Sequence, residues 1–427
     1  MAACPTAPML AAMKIGIVGL GYVGLPLAVA FAEAGNEIVG LDLDPAKVEA
    51  LKAGRSYVED VPDAALQPLG ERLRATADYA DLGDCEAAIV CVPTPLTASR
   101  EPDLTYLLGA AESLAGVLRA GQLVVLESTT YPGTTREQLA PILERSGLTV
   151  GEDVFVAFSP ERIDPGRTDY TIRTTPKLVG GLTPACTERA RELYELVCDE
   201  VVVVSSPEAA ELSKLLENVF RSVNIAFVNE LSQLCDRLGI DVWEVLDAAA
   251  TKPFGFMRFD PGPGMGGHCL PVDPFYLGYR AKEQGFYPEF IELAGKINQA
   301  QPAFCVERIE RFLNQAAMPV KGSRILILGA GYKAGSGDIR ESPALTILRL
   351  LIALEAEVSY HDPHVPELPE LGLRSADLDA ALASADLVAI VTAHPGIDYA
   401  DVVGKAPRTL DFRGVTGRLD GENLERL

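Results

Sequence analysis

The chain has 427 residues, enough for two or three domains with cores of their own, and its 48% hydrophobic and 23% charged content is that of a globular protein. A formal net charge of −23, without a long acidic run, argues against nucleic acid and anionic membrane as partners. Any anionic ligand must then be held by local cations and helix N-termini. The 8 cysteines form no CxxC pair and the 4 histidines are scattered, so no metal site is expected and the thiols read as reduced, in a cytoplasmic protein. No run of about 18 apolar residues is present to span a membrane. The opening MAACPTAPMLAA lacks a basic segment and reads as an extended start rather than a signal peptide.

Lys14 to Val18 predicts a short buried strand. It leads into Gly19-Leu20-Gly21-Tyr22-Val23-Gly24 and then an apolar helical run. Strand, GxGxxG, helix is the dinucleotide-binding context: the glycines permit a tight turn, close approach to a pyrophosphate and close helix packing. A second strand, Glu37 to Leu41, ends at Asp42, where a carboxylate accepts from both ribose hydroxyls and repels a 2′-phosphate; NAD is the expected cofactor. Further strands are predicted over 87–92, 123–127 and 154–158. They end at Thr94, Thr129 and Glu161, which should converge at the nicotinamide end of the ligand crevice. Alternatively, Thr129 and Glu161 cap the helices that follow.

Pro207 to Leu238 predicts one long helix, free of Gly and of Pro after its first residue, with apolar residues at helical spacing. It reads as a spine between two halves, able to pack against its twin in a homodimer. Lys214 and Asn218 share a face roughly opposite the apolar stripe. That face is either solvated or turned to a cleft, where Lys can exchange a proton with a reacting oxygen. The run FDPGPGMGGHCLPVDPFY follows. Its glycines and prolines exclude helix interior and central strand, and present Cys269 at a bend between His268 and Asp273. Cys269 is a nucleophile or a structural thiol. The polar members of a later segment, about Glu289 to Phe312, suggest a surface helix.

The second half echoes the first. SRILILGAGYK repeats KIGIVGLGY, VSYHDP repeats IVGLDLDP, and LVAIVTAHP repeats AAIVCVPTP. The expected fold is α/β, two Rossmann-like doubly wound domains joined by the long helix. NAD binding is expected over 13–205, a central helical and dimerising part with the Cys loop over 206–316, and a nucleotide-sugar domain over 317–427. In the second copy Ala334 stands where Gly24 stands in the first. Lys333 and Arg340 there suit a diphosphate other than a second NAD.

Taken in order, GLGYVGLPLA, SPERIDPG, AAELSKLLEN, GPGMGGHCLPVDP and AGYKAGSGDIRESPAL resemble the UDP-glucose/GDP-mannose dehydrogenase family over nearly the whole chain. GGHC and PER resemble the branch acting on UDP-N-acetylhexosamines, most closely the UDP-N-acetylglucosamine 6-dehydrogenases, with UDP-N-acetylmannosamine and UDP-glucose as alternative substrates. The resemblance implies NAD-dependent oxidation of the C6 alcohol to the uronate, for surface polysaccharide precursors. It implies Cys269 as nucleophile, Lys214 and Asn218 at the reacting oxygen, and Asp273 linked to Lys214 or a water. Glu161 would hydrolyse the thioester and Thr129 would hold the water. Arg162, Gly266, Gly267, Lys333 and Arg340 join the substrate set, with Arg258 a candidate by position. Many relatives carry a second glutamate four residues after the first; here that place holds Pro165. A more distant rival is a single-step β-hydroxyacid-type dehydrogenase, which shares the Lys-x-x-x-Asn helix but needs no cysteine.

Overall fold

A computed structural model describes residues 12–97, 99–163, 169–267, 270, 272–417 and 419–427. The chain divides into two compact units, Met1–Leu216 and Glu217–Leu427.

The first unit is built on an eight-stranded sheet: β1 (Lys14–Val18), β2 (Glu37–Leu41), β3 (Leu73–Thr76), β4 (Ala87–Val90), β5 (Leu123–Leu126), β6 (Phe155–Phe158), β7 (Lys177–Gly181) and β8 (Val201–Val203). Their order is β3-β2-β1-β4-β5-β6-β7-β8, parallel except for the β6–β7 pair. The strands are apolar on both faces because helices cover both. Ile15, Ile17, Ile89 and Val125 feed the core on one side, while Val18, Val90, Val124 and Leu126 feed the other. The order reverses between β1 and β4, and a ligand crevice opens beyond the strand C-termini at such a point.

The second unit repeats the plan on five parallel strands, β9 (Arg324–Leu328), β10 (Glu357–His361), β13 (Leu387–Ile390), β14 (Thr409–Asp411) and β15 (Leu424–Arg426), ordered β10-β9-β13-β14-β15. A small antiparallel pair, β11 (Glu367–Leu368) and β12 (Leu373–Arg374), lies apart. Ile325 and Ile327 feed one core and Leu326 and Leu328 the other, as in the first unit. The fold is thus two Rossmann-like doubly wound sheets with a helical region between them in sequence.

The spine helix runs Pro207–Leu238, as its pattern predicts. Its buried side is mixed, with Leu215, Val219, Ala226, Val228 and Cys235 beside polar residues. Glu211, Lys214, Asn218, Ser222, Asn229 and Ser232 are buried, whereas Leu212, Leu216, Phe220, Phe227, Leu234 and Leu238 are exposed. The solvated alternative for the Lys214 face is therefore wrong: Lys214 is only 9% exposed and Asn218 6%. The helix Glu289–Gln315 also corrects an expectation. It is no surface helix, since Cys305, Val306, Ile309, Phe312 and Leu313 pack into the core of the second sheet. Its charged residues other than Arg308 lie on the opposite side.

Candidate active site

In the first unit the glycine loop has the conformations a dinucleotide needs. Gly19 has φ +93°, and a Cβ there would meet the Cys91 carbonyl oxygen at 2.6 Å. At Gly24 a Cβ would fall 1.9 Å from the Gly19 oxygen, so helix and strand can meet only at glycine. Around Gly21 there is open space, which leaves room for a pyrophosphate. Tyr22 is exposed, and Val23 precedes the helix Gly24–Glu33. Asp42 caps β2: Oδ2 accepts from Leu20 N–H at 3.0 Å and from Lys47 Nζ at 2.9 Å, and Oδ1 from Asp44 N–H at 2.9 Å. A carboxylate has about four acceptor directions, so one remains for a ribose hydroxyl. These residues fit NAD.

Beyond β4 and β5, Thr94 donates to the Thr129 carbonyl at 2.8 Å, tying the two strand ends together. Glu161 lies beyond β6. Its Oε1 accepts from the N–H groups of Arg162 and Ile163, each at 2.6 Å. The Arg162 guanidinium donates to the Pro176 carbonyl. Burial would raise the Glu161 carboxyl. Lys177, the Ile163 N–H, Lys214 and the Arg162 N–H overcome that and hold it below its ordinary value. Lys214 thus acts electrostatically on Glu161.

In the second unit Asn218 donates to Asp273 Oδ2 at 2.5 Å, with Asp273 in the first turn of the helix Asp273–Glu283 and 2% exposed. The glycine-proline run is anchored on both sides. Gly262 N–H donates to Asn229 Oδ1 and Gly267 N–H to the Arg340 carbonyl, both at 3.0 Å. Gly266 and Gly267 lie against Tyr332, where a Cβ would come within 2.7 Å and 2.9 Å of its side chain. Arg340 pairs with Asp338, Lys333 is half-buried nearby in sequence, and Arg258 pairs with Asp247 and Asp260. Cys269, His268 and Pro165 lie outside the described residues. The six described cysteines, at 85, 91, 186, 198, 235 and 305, are all buried free thiols.

The second glycine loop is built differently. Gly329 keeps a positive φ of +87°, but no helix starts at Ala334; the next begins at Pro343, capped by Ser342. Asp362 follows β10 as Asp42 follows β2. Its acceptor capacity is consumed: Oδ2 takes the N–H of Ala330 and Gly331 and His394 Nε2, and Oδ1 takes the N–H of His364 and Val365. His394 Nδ1 accepts from Gly335 N–H, which fixes the proton on Nε2. This carboxylate holds the loop together instead of reading a ribose.

Domain profiles of the UDP-glucose/GDP-mannose dehydrogenase family match the chain in three places: the NAD binding domain over 13–198, the central domain over 208–300 and the UDP binding domain over 326–418. The chain belongs to this family. A UDP-N-acetyl-D-glucosamine 6-dehydrogenase of Pseudomonas aeruginosa is 39% identical over 83% of each chain. An NDP-N-acetyl-D-galactosaminuronic acid dehydrogenase of Ralstonia nicotianae is 38% identical over 94% of this chain and 96% of its own. The structure of a UDP-D-ManNAc dehydrogenase from Pyrococcus horikoshii superposes with a TM-score of 0.89 at 32% identity, covering 97% of this chain and 99% of that one. As a family member the chain is an NAD-dependent oxidoreductase acting on nucleotide sugars. Among the described residues no helix is long and apolar enough to cross a membrane.

Sequence reasoning missed a buried ionic cluster beside Glu161. Because β7 runs against β6, with Phe158 opposite Gly180, its first residue Lys177 returns to the edge where β6 ends. Lys177 Nζ is bonded to Glu127 Oε1 and stands 3.7 Å from Glu161 Oε2. Tyr194 donates its hydroxyl to Glu127 Oε2 at 2.6 Å, and its ring lies 4.9 Å from the Lys177 ammonium. Burial pushes Glu127 up to about 7 against the pull of Lys177. Lys177, which burial alone would lower, is held above its ordinary value by the two carboxylates. Glu161, Arg162, Ile163, Thr175 and Lys177 line a small cavity with ≈ 10 Å³ of room for a water's centre, about what one water needs. The Thr175 hydroxyl is buried without a partner among the described residues. The available signal was a charged residue at each of two ends of apolar strands, Glu127 in LVVLE and Lys177 in KLVGG.

Proposed function

We propose that this enzyme oxidises the C6 alcohol of a UDP-N-acetylhexosamine, UDP-N-acetylglucosamine first among them, to the uronate for surface polysaccharide precursors. The support is the 39% identity to a UDP-N-acetyl-D-glucosamine 6-dehydrogenase and 38% to an NDP-N-acetyl-D-galactosaminuronic acid dehydrogenase, with Glu161 kept below its ordinary value by Lys177 and Lys214 in the first unit and Asn218 bonded to Asp273 in the second. The reaction removes four electrons, hence two hydrides, and an aldehyde gives up hydride only after a nucleophile adds to it. Lys214, or a water held by Asp273, takes the hydroxyl proton as the first hydride leaves for NAD. The Cys269 thiolate adds to the aldehyde carbon, and Lys214 and Asn218 stabilise the oxyanion. Transfer of the second hydride to a second NAD leaves a thioester. Glu161 takes a proton from the water that cleaves it, with Thr129 holding that water.

The NAD-binding part spans 13–205, the central part 206–316 and the sugar-nucleotide part 317–427, with Arg162, Arg258, Gly266, Gly267, Lys333 and Arg340 in the substrate site. The protein works in the cytoplasm as a homodimer through the exposed apolar face of the spine helix, and binds no nucleic acid or membrane. Its test is the NADH yield per nucleotide sugar across a panel of UDP-sugars. Two are expected for UDP-N-acetylhexosamines, with the highest kcat/KM for UDP-N-acetylglucosamine; one NADH would mean a single-step dehydrogenase. Cys269→Ala should stop acid formation while NAD still binds, and normal acid formation would remove the covalent step.

A further inference from the structure

We propose that Lys177, fixed by Glu127 and Tyr194, is a positioning residue that orients the Glu161 carboxylate and keeps it ionised for thioester hydrolysis. The inference rests on the reading of Glu161 as the hydrolytic base. Two observations carry it. The first is placement. Lys177 and Glu127 are 7% and 0% exposed at the side chain, yet they sit at the strand edge that carries Glu161 rather than in the sheet's interior. A buried ion pair is a net cost or close to neutral for folding, so stability alone gives no reason for one here.

The second is charge balance. One ammonium faces two carboxylates. While Glu161 is ionised, Lys177 serves it from 3.7 Å. When Glu161 takes the proton of the attacking water, the water oxygen bonds to the thioester carbon and the carbon–sulfur bond breaks to release thiolate. Lys177 then still has Glu127 as its counter-ion, so no buried cation is stranded in either state. The Glu127 carboxylate is held for this by the Tyr194 hydroxyl. Among the described residues Lys214 of the spine helix also acts on Glu161, while Arg162 serves it through its backbone N–H and donates its guanidinium to the Pro176 carbonyl. Cys91 and Cys198 also face the cluster, and burial raises both thiols, so they stay neutral over the working range.

The test measures acid release against pH, with intact-protein mass to count the thioester adduct, in four variants of the full enzyme. In Lys177→Met the acidic limb should move up by about one to three pH units, the effect of losing an opposite charge. Adduct should accumulate at neutral pH, while two NADH per active site still form in the first turnover. Lys177→Arg should restore the wild-type limb. Lys177→Gln also removes the charge while keeping a hydrogen-bond donor for Glu127, so its limb should move up with that of Lys177→Met. It carries the test by itself if Lys177→Met does not fold. An unmoved limb in Lys177→Met or in Lys177→Gln overturns the proposal. Glu161→Gln separates the two ideas: if it gathers no adduct, the reading of Glu161 fails, and if it does while the other limbs stay put, only the role of Lys177 fails.

Discussion

Asp42 and Asp362 occupy the same place in two copies of one plan and do different work, because their neighbours differ. Asp42 keeps an acceptor direction in reserve, whereas Asp362 has spent its capacity on five donors. Burial would raise the Asp362 carboxyl, but the His394 imidazole and the backbone N–H groups bring it down to about 2. Asp42→Ala should therefore raise the KM for NAD by about tenfold, one hydrogen bond's worth to a charged acceptor, and narrow the preference over NADP. Steady-state kinetics with both cofactors checks this; unchanged discrimination would separate Asp42 from the ribose. Sequence showed both aspartates, since each closes a strand. It did not show which one is free, because that depends on His394, whose role appears only once β13 lies beside β9. Lys177 was hidden for a related reason. Its approach to Glu161 depends on β7 running backwards, and a short apolar strand carries no mark of its direction.

At the scale of elements, the strands and the spine were legible because their patterns are strict. IGIV and ILIL are unbroken apolar runs before glycine, and the spine has no helix breaker between Pro207 and Leu238. What periodicity could not say is which face of the spine turns inward. Hydrophobicity argues for the apolar face; the structure buries polar residues such as Lys214 and Asn218 together with Leu215 and Val219, and leaves part of the apolar stripe outside. Among the buried polar groups, Glu211 takes the N–H of Gly133 and Thr135, and Asn229 bridges Asn298 and Gly262. The outward face then carries Leu216 and Phe227, each 61% exposed. Apolar patches of that kind mark protein interfaces. Leu216→Glu with Phe227→Glu should halve the mass seen by sedimentation; a wild type that is already monomeric would end the proposal of pairing through this face. The segment from Glu289 misled for the opposite reason. Its polar residues are numerous, but one strip of Cys305, Ile309 and Phe312 suffices to seat it in a core.

For the whole molecule, a charge of −23 opposes every ligand this enzyme takes, since NAD and a nucleotide sugar are both anions. Contacts at hydrogen-bond distance are screened little by salt, but the long-range field is, with a Debye length falling from about 30 Å at 0.01 M to about 10 Å at 0.1 M. Across that range kcat/KM for the sugar nucleotide should rise, as screening lifts a repulsion and spares the contact pairs. A fall would mean that clustered cations such as Lys333 and Arg340 govern encounter. The loop at Gly329 also sets a limit on redesign. Exchanging Ala334 for glycine would restore the fingerprint on paper and still leave nowhere for a coenzyme to dock: the helix that should receive its phosphates begins only at Pro343, and the acid that should hold its sugar is already clasped by His394. The two halves have diverged past the point where a single letter could make them interchangeable.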